Sequence, residues 1–207
     1  MLRHASDHGL TRIKASVRPT LRRYHPGMYT DLFRTRRTPD VAHRLLWAVG
    51  IGSLLALAVA LIAQHGFGIE PCAWCVVQRI AVIAVALLSL FAAVSSRMGA
   101  RALALLAAVG VLAVSAGGAF AAWHQHTVAA KQLSCAFTWA DRSLMEWQLD
   151  AWIPGLFKVG ATCADSAKAL LLGWPFEMWS GAWFVLTAAA SLIALFNLAR
   201  RRRFQSF

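Results

Sequence analysis

Four long apolar segments constrain this chain more than any other feature of its sequence. They cover residues 45–64, 76–94, 102–123 and 179–198, and each has few or no charges. A helix needs about twenty such residues to cross the hydrocarbon of a bilayer. Since 58% of the residues are hydrophobic, a soluble core is too small to bury them all. The sequence therefore predicts an all-α membrane protein, a bundle of four transmembrane helices.

The positive charge of the chain is concentrated at its two ends. The formal charge is +12, and residues 1–44 hold ten Lys and Arg against three Asp, while residues 200–203 are all Arg. Basic residues that flank spans mark the cytoplasmic side. We therefore expect both termini, and the link that contains Arg97 and Arg101, to be cytoplasmic. A nucleic-acid partner is not expected, because the excess lies at the two ends, outside the apolar segments, and so indicates membrane topology rather than a DNA-binding face.

Three regions follow from this distribution. Residues 1–44 are expected to be a basic cytoplasmic arm, residues 45–199 the four-helix membrane domain and residues 200–207 a basic cytoplasmic tail. The arm is either a disordered segment near anionic lipid or an extension upstream of a true start at Met28. A cleaved signal peptide is the alternative for the first apolar segment, but its length favours a retained span.

The loop between the third and fourth segments is predicted to carry a short interfacial helix. Apolar residues recur at helical spacing between 144 and 157, and polar residues lie among them. That pattern is typical of a helix on a membrane surface, and several tryptophans in the same loop prefer the headgroup level. The alternative is that these aromatic residues pack a small loop core.

All four cysteines fall in the two loops opposite the basic termini, or at a helix end that faces them. They are Cys72, Cys75, Cys135 and Cys163. In a bacterium this compartment is the oxidising periplasm, where disulfides are the default expectation. The cysteines are then either structural staples or redox groups.

The motif Pro-Cys-Ala-Trp-Cys at residues 71–75 favours redox chemistry. A disulfide between Cys72 and Cys75 closes a ring too small to stabilise the fold. Backbone amides at a helix N-terminus stabilise a thiolate and so lower the pKa of a thiol placed there. Zinc is the chemical competitor, but Cys135 and Cys163 lack the paired spacing of a zinc knuckle. We therefore expect exchange chemistry and no metal.

Arg79 lies four residues after Cys75, on the same helical face and one turn deeper. Arginine at the centre of a span costs about 2.5 to 3.5 kcal/mol, and less near the mouth. One interpretation is that Arg79 snorkels to the headgroups. The other is that its cation stabilises negative charge on a thiolate and on an electron acceptor.

Taken together, these residues resemble the disulfide bond formation protein B (DsbB) family of bacterial inner-membrane quinone reductases. The matching motifs are Gln64-His65, Pro-Cys-Ala-Trp-Cys-Val-Val-Gln-Arg at 71–79, His-Gln-His-Thr at 124–127, Cys135, Trp-Ile-Pro-Gly-Leu-Phe at 152–157, and Cys163. The similarity spans roughly residues 44 to 200. Gln78 departs from the pattern, because an acidic residue is common there in the family.

The resemblance implies a membrane thiol-disulfide oxidoreductase that reoxidises a periplasmic, thioredoxin-like oxidase of the DsbA type. Cys72 and Cys75 would be the pair that reduces quinone, and Cys135 and Cys163 the pair that meets the partner. The partner would attack Cys135, after which Cys163 would exchange with Cys72.

The same resemblance implies ubiquinone or menaquinone from the membrane pool as electron acceptor. Arg79 and His126 would bind it, although a histidine at a span end is also a common interfacial side chain. The protein would lie in the bacterial inner membrane with its cysteines periplasmic. The alternative from the residues alone is a non-enzymatic four-helix membrane protein whose two disulfides staple its loops.

Overall fold

The computed structural model describes residues 41–131, 138–168 and 170–200, which are mostly helical. The first half contains α1 Val41–Phe67, α2 Ala73–Arg97, α3 Arg101–Thr127 and a 3-10 turn at Ala129–Lys131. The second half contains α4 Trp139–Trp147, α5 Leu149–Trp152, α6 Pro154–Phe157, α7 Cys163–Ser166, strands β1 Leu170–Leu171 and β2 Trp174–Pro175, and α8 Phe176–Arg200. The two short strands pair in antiparallel fashion.

Four of these helices, α1, α2, α3 and α8, are long and apolar enough to cross a membrane. The predicted four-helix membrane fold is confirmed. Helix α3 packs most extensively against α2 and α8, while α1 packs against α2 and, less extensively, α8. Each of the four long helices thus has two long neighbours. Gly68 and Gly99 adopt positive φ angles of 66° and 81°, which allow sharp turns directly after α1 and α2.

Small side chains line the contacts between the long helices, and large apolar ones face outward. Alanines are almost fully buried where the helices meet, at positions 86, 92, 93, 104, 108 and 194. Leu55, Phe91 and Leu186 are instead more than half exposed. This distribution suits a bundle in lipid, because small residues let helix backbones approach closely while lipid covers the large apolar groups.

Buried hydroxyl groups connect α3 to α8. The hydroxyls of Ser115 and Thr187 are 2.9 Å apart, and Ser191 donates to the carbonyl of Ala108 at 2.7 Å. At the start of α3, Arg101 donates to the carbonyls of Leu198 and Ala199 in the last turn of α8. A cation there satisfies carbonyls that have no partner within their own helix. These bonds set how α8 lies on α3.

The predicted loop helix is present, but it is divided into three. Gln148 has a left-handed backbone with φ 49°, which ends α4, and Pro154 begins α6. Apolar spacing does not reveal such a break, because it depends on one residue's backbone. The placement of these helices on a membrane surface stays a prediction.

The predicted terminal arm and tail fall largely outside the described residues, namely in 1–40 and 201–207. Helix α1 begins at Val41, before the predicted end of the arm at residue 44. The three proposed regions stay predictions.

Two adjacent glycines in α3 provide a matched test of the α3–α8 contact. A Cβ atom at Gly118 would lie 2.5 Å from the ring of Phe184, which is fully buried, whereas a Cβ at Gly117 meets nothing within 4 Å. We expect Gly118→Ala to destabilise the bundle by about 1 to 3 kcal/mol through overpacking. Gly117→Ala should leave stability unchanged or raise it, because alanine favours helix. Thermal unfolding in detergent measures both, and equal melting temperatures would contradict the packing described here.

Candidate redox site

The Cys-x-x-Cys motif lies at the start of α2. Cys72 is the residue before the first turn and is fully buried, while Cys75 is partly exposed in that turn. Their sulfur atoms are 3.0 Å apart. The start of α2 thus holds the two sulfurs so close together that a small movement would allow a disulfide bond between them. This is the arrangement of an exchangeable cysteine pair.

A second loop holds Cys163 against this motif. The carbonyl of Pro71 accepts hydrogen bonds from the backbone amides of Gly160 at 3.0 Å and Ala161 at 3.3 Å. Cys163 follows directly as the fully buried first residue of α7, which Thr162 caps by accepting from the amide of Asp165. Backbone pairing between the two loops thus fixes the position of Cys163 relative to α2.

The Cys163 thiol interacts with Cys72 and changes its acidity. A hydrogen bond with Cys163, reinforced by burial, raises the pKa of Cys72 to about 12, although hydrogen bonds with Cys75 and Ser166 act in the opposite direction. For Cys72 the expectation of a lowered pKa was therefore wrong. The neighbouring thiol and the loss of solvent outweigh the helix amides. The structure brings together Cys72, Cys75 and Cys163, and Cys135 lies outside the described residues.

Arg79 is buried and bonded within the protein. Its Nη1 donates to Oε1 of Gln64 at 2.5 Å and to the carbonyl of Leu156 at 3.0 Å, and its side chain is only 7% exposed. Both of these partners belong to the protein, whereas snorkelling would extend the guanidinium toward the headgroups. The cation instead joins the end of α1, the first turns of α2 and the short helix α6.

A cavity of about 250 Å³ opens beside Cys75 and Arg79. Its walls come from α1, α2, α8 and the adjoining loops, and they are mainly apolar, including Ala60, Ala63, Ile69, Val82, Phe176 and Trp183. Such a cavity, with the Arg79 guanidinium and the Cys75 sulfur among the groups on its wall, suits a flat, largely apolar molecule with a polar edge.

A row of buried polar groups approaches Cys75 from the side of α3. Nε2 of Gln125 donates to the Cys75 sulfur at 3.2 Å, and Nε2 of Gln78 donates to Oε1 of Gln125 at 2.8 Å. The Ser180 hydroxyl lies 2.5 Å from Oε1 of Gln78. Sequence reasoning missed Gln125 and Ser180. The signal available in the sequence was that both are uncharged polar residues within or beside spans. Such residues need hydrogen-bond partners inside the protein and often have a function.

His126 does not line the cavity but contacts a residue that does. Its Nδ1 lies 3.2 Å from Oε1 of Glu177, whose side chain is only 1% exposed. Glu177 is among the described residues on the cavity wall. Sequence reasoning did not single out Glu177, although an acidic group at the start of an apolar segment is a recognisable signal.

The family profile described as "Disulfide bond formation protein DsbB" matches residues 42–194. This chain belongs to the DsbB family. A DsbB relative from Herminiimonas arsenicoxydans, named disulfide bond formation protein B, is 36% identical over 153 residues, which cover 74% of this chain and 94% of the relative. Disulfide bond formation protein B 2 of Pseudomonas aeruginosa PAO1 is 36% identical over 158 residues, or 72% and 90% of the two chains.

A disulfide bond formation protein B from Neisseria gonorrhoeae is more distant, with 29% identity over 145 residues that cover 69% of this chain and 88% of the relative. The predicted family is therefore confirmed. Membership in the DsbB family makes this protein a multi-pass membrane oxidoreductase of disulfide bond formation. Within the described ranges, no cluster of three or more His, Cys, Asp or Glu residues is arranged to hold a metal ion.

Cys72 has two neighbours in α7, and replacing them should change its reactivity in opposite directions. Cys163 raises the pKa of Cys72, whereas Ser166 lowers it. In a Cys75→Ala background, Cys163→Ala should move the alkylation profile of Cys72 to lower pH, because more thiolate then forms near neutrality. Ser166→Ala should move it to higher pH. Alkylation rates measured by mass spectrometry across pH test this, and shifts in the same direction would refute the assignment.

Proposed function

We propose that this protein takes electrons from a periplasmic thioredoxin-like oxidase of the DsbA type and passes them to a membrane quinone. The single observation that carries the proposal is the position of Cys75. Its sulfur is next to Cys72 on one side and lies on the wall of an apolar cavity that also contains Arg79. A thiol between a second thiol and an apolar cavity suits transfer from dithiol chemistry to a lipid-soluble acceptor.

The proposed exchange begins at Cys135. A thiolate of the partner attacks the Cys135 sulfur of a Cys135–Cys163 disulfide, and the electron pair of the broken bond goes to Cys163. The Cys163 thiolate then attacks Cys72 in a Cys72–Cys75 disulfide, and Cys75 leaves as a thiolate. The interaction of Cys163 with Cys72 supports the second step, because the attacking and attacked sulfurs are already neighbours.

The cavity fits a quinone headgroup. Its volume is about 250 Å³ and its walls are mainly apolar, while Arg79 supplies a cation at the edge. Ubiquinone and menaquinone both have this chemistry, and either would accept two electrons when bound. Arg79 would hold an oxygen that gains negative charge, and Cys75 would present its sulfur beside the ring. His126 would contribute indirectly, since it contacts the cavity wall through Glu177.

We place the protein in the bacterial inner membrane with both termini in the cytoplasm and the cysteines in the periplasm. The support is the distribution of charge, with Arg97, Arg101 and the Arg residues at 200–203 all expected on one side. An oxidising periplasm also keeps the partner-facing pair available as a disulfide.

Trapping the partner tests both the order of exchange and the sidedness. A DsbA-type protein that lacks its resolving cysteine should form a stable mixed disulfide, because the bond to Cys135 is no longer released. Digestion and mass spectrometry of the trapped species should find the partner's cysteine joined to Cys135, and the species should vanish in Cys135→Ser, in which no Cys135–Cys163 disulfide is left to attack. A partner joined to Cys163 would exchange the two roles. If no mixed disulfide forms with the periplasmic partner in cells, the proposed sidedness or the proposed partner is wrong.

Replacing Arg79 tests the quinone step. Arg79→Met removes the cation and its charge-assisted hydrogen bonds, worth about 1.5 to 3 kcal/mol, so kcat/KM for quinone should fall roughly tenfold to a hundredfold. Arg79→Lys should recover part of the loss, because it restores the charge but not the planar fork.

Arg97→Met is the matched control, since Arg97 is an exposed arginine at the other end of the same helix. Steady-state rates across quinone concentrations, together with single-turnover exchange with the partner, separate the two half-reactions. Wild-type quinone kinetics in Arg79→Met would remove Arg79 from the proposed site.

A further inference from the structure

The buried amides beside Cys75 form a directed chain of hydrogen bonds across three helices. It runs from the Ser180 hydroxyl in α8 to Gln78 in α2, then to Gln125 in α3, and ends on the Cys75 sulfur. Gln125 is fully buried and Gln78 is 4% exposed. Buried amides such as these need hydrogen-bond partners within the protein, so the orientation of each depends on the next.

The same atoms allow a second, reversed orientation. An amide exchanges its oxygen and nitrogen by a half-turn, and a hydroxyl both donates and accepts. If both glutamines turn, Cys75 as a thiol donates to Gln125, Gln125 donates to Gln78, and Gln78 donates to Ser180. The Ser180 hydroxyl then donates to the carbonyl of Glu177, which is 2.8 Å away. Every polar group in the chain has a partner in both orientations.

We propose that Gln125 is a catalytic residue that stabilises the Cys75 thiolate, and that Gln78 and Ser180 are positioning residues that set its amide. In the orientation that the structure shows, the Gln125 N–H points at the sulfur, which is the arrangement for a thiolate or a disulfide sulfur. In the reversed orientation the Gln125 oxygen accepts from the thiol. The chain therefore responds to the protonation state of Cys75 without moving a charge into the bundle.

This inference rests on the proposed function, because that function makes Cys75 the leaving group. When the Cys163 thiolate bonds to Cys72, the bond between Cys72 and Cys75 breaks and its electron pair goes to Cys75. No proton is needed in that step. An amide N–H already directed at the sulfur stabilises the new charge as it develops, as preorganised donors do in other active sites.

The described contacts distinguish this role from that of Arg79. The hydrogen bonds of Arg79 to described residues go to Gln64 and to the carbonyl of Leu156, so Arg79 acts on Cys75 through its charge. Gln125 contacts the sulfur directly. Four other titratable neighbours belong to the part of the chain that the structure describes. Cys72 contacts the Cys75 sulfur and is itself in contact with Cys163, while Glu70 and Glu177 lie on the cavity wall. His126 contacts Glu177.

The experiment measures the thiolate of Cys75 alone. In a protein with Cys72, Cys135 and Cys163 replaced by Ala, the rate of alkylation by iodoacetamide is followed across pH. Gln125→Met should move the midpoint of this profile upward by about one to two pH units, because a hydrogen bond to a charged group is lost. Gln125→Glu should move it further upward, because a carboxylate next to a thiolate disfavours the charge.

Ser115→Ala is the matched control. Ser115 is a buried polar residue of the same helix, it also bonds to α8, and its hydroxyl partner is Thr187 rather than the cysteine motif. Its midpoint should stay at the parent value. An unmoved midpoint in folded Gln125→Met, or an equal shift in Ser115→Ala, would overturn the proposal.

A second variant keeps the test decisive if Gln125→Met does not fold. Ser180→Ala retains both glutamines and removes only the hydroxyl at the end of the chain, so the midpoint should move upward by less than one unit. No shift there would overturn the proposal in that case. Because neither quinone nor partner is present, the result is independent of the proposed electron transfer. If the midpoints shift as expected but the protein with all four cysteines does not reduce quinone, only the proposed function is overturned.

Discussion

The buried guanidinium of Arg79 is the interaction on which the arrangement of the redox site depends. A charge within a span has to find partners inside the protein, because lipid provides none. Arg79 finds them in Gln64 at the end of α1 and in the backbone of Leu156 in the loop between α3 and α8. The same bonds tie this loop to α1 and α2 beside the redox site. The hydrogen bonds that the buried charge requires therefore also fix the position of the loop.

Cys75 lies at the boundary of two different environments. On one side is the apolar cavity with Arg79 on its wall, and on the other is the amide of Gln125. Small residues allow the close approach of α2 and α3 that this requires, since Ala92 and Ala93 of α2 lie in one buried cluster with Ala104 and Ala108 of α3. Packing of small side chains therefore does more than hold the bundle together. It brings a polar side chain within reach of a sulfur atom in an otherwise apolar region.

The contact between Cys163 and Cys72 has a different origin, because it depends on loop backbone rather than on helix packing. The carbonyl of Pro71 accepts from Gly160 and Ala161, and this pairing holds α7 against the start of α2. A proline carbonyl is a suitable acceptor here, since the residue lies just before the helix and its carbonyl remains available. The raised pKa of Cys72 is a consequence, as two thiols share a site from which solvent is largely removed.

The sequence by itself determined the four spans, the position of Cys72 and Cys75 at a helix start, and Arg79 one turn deeper, because these follow from apolar length and local helical spacing. The tertiary structure alone decided that Gln125 reaches Cys75, 50 residues away, and that His126 meets Glu177, 51 residues away. Such contacts depend on how each helix is rotated about its axis. Helices that are apolar on all sides carry little pattern to specify that rotation, so close packing and the partners required by buried polar groups determine it.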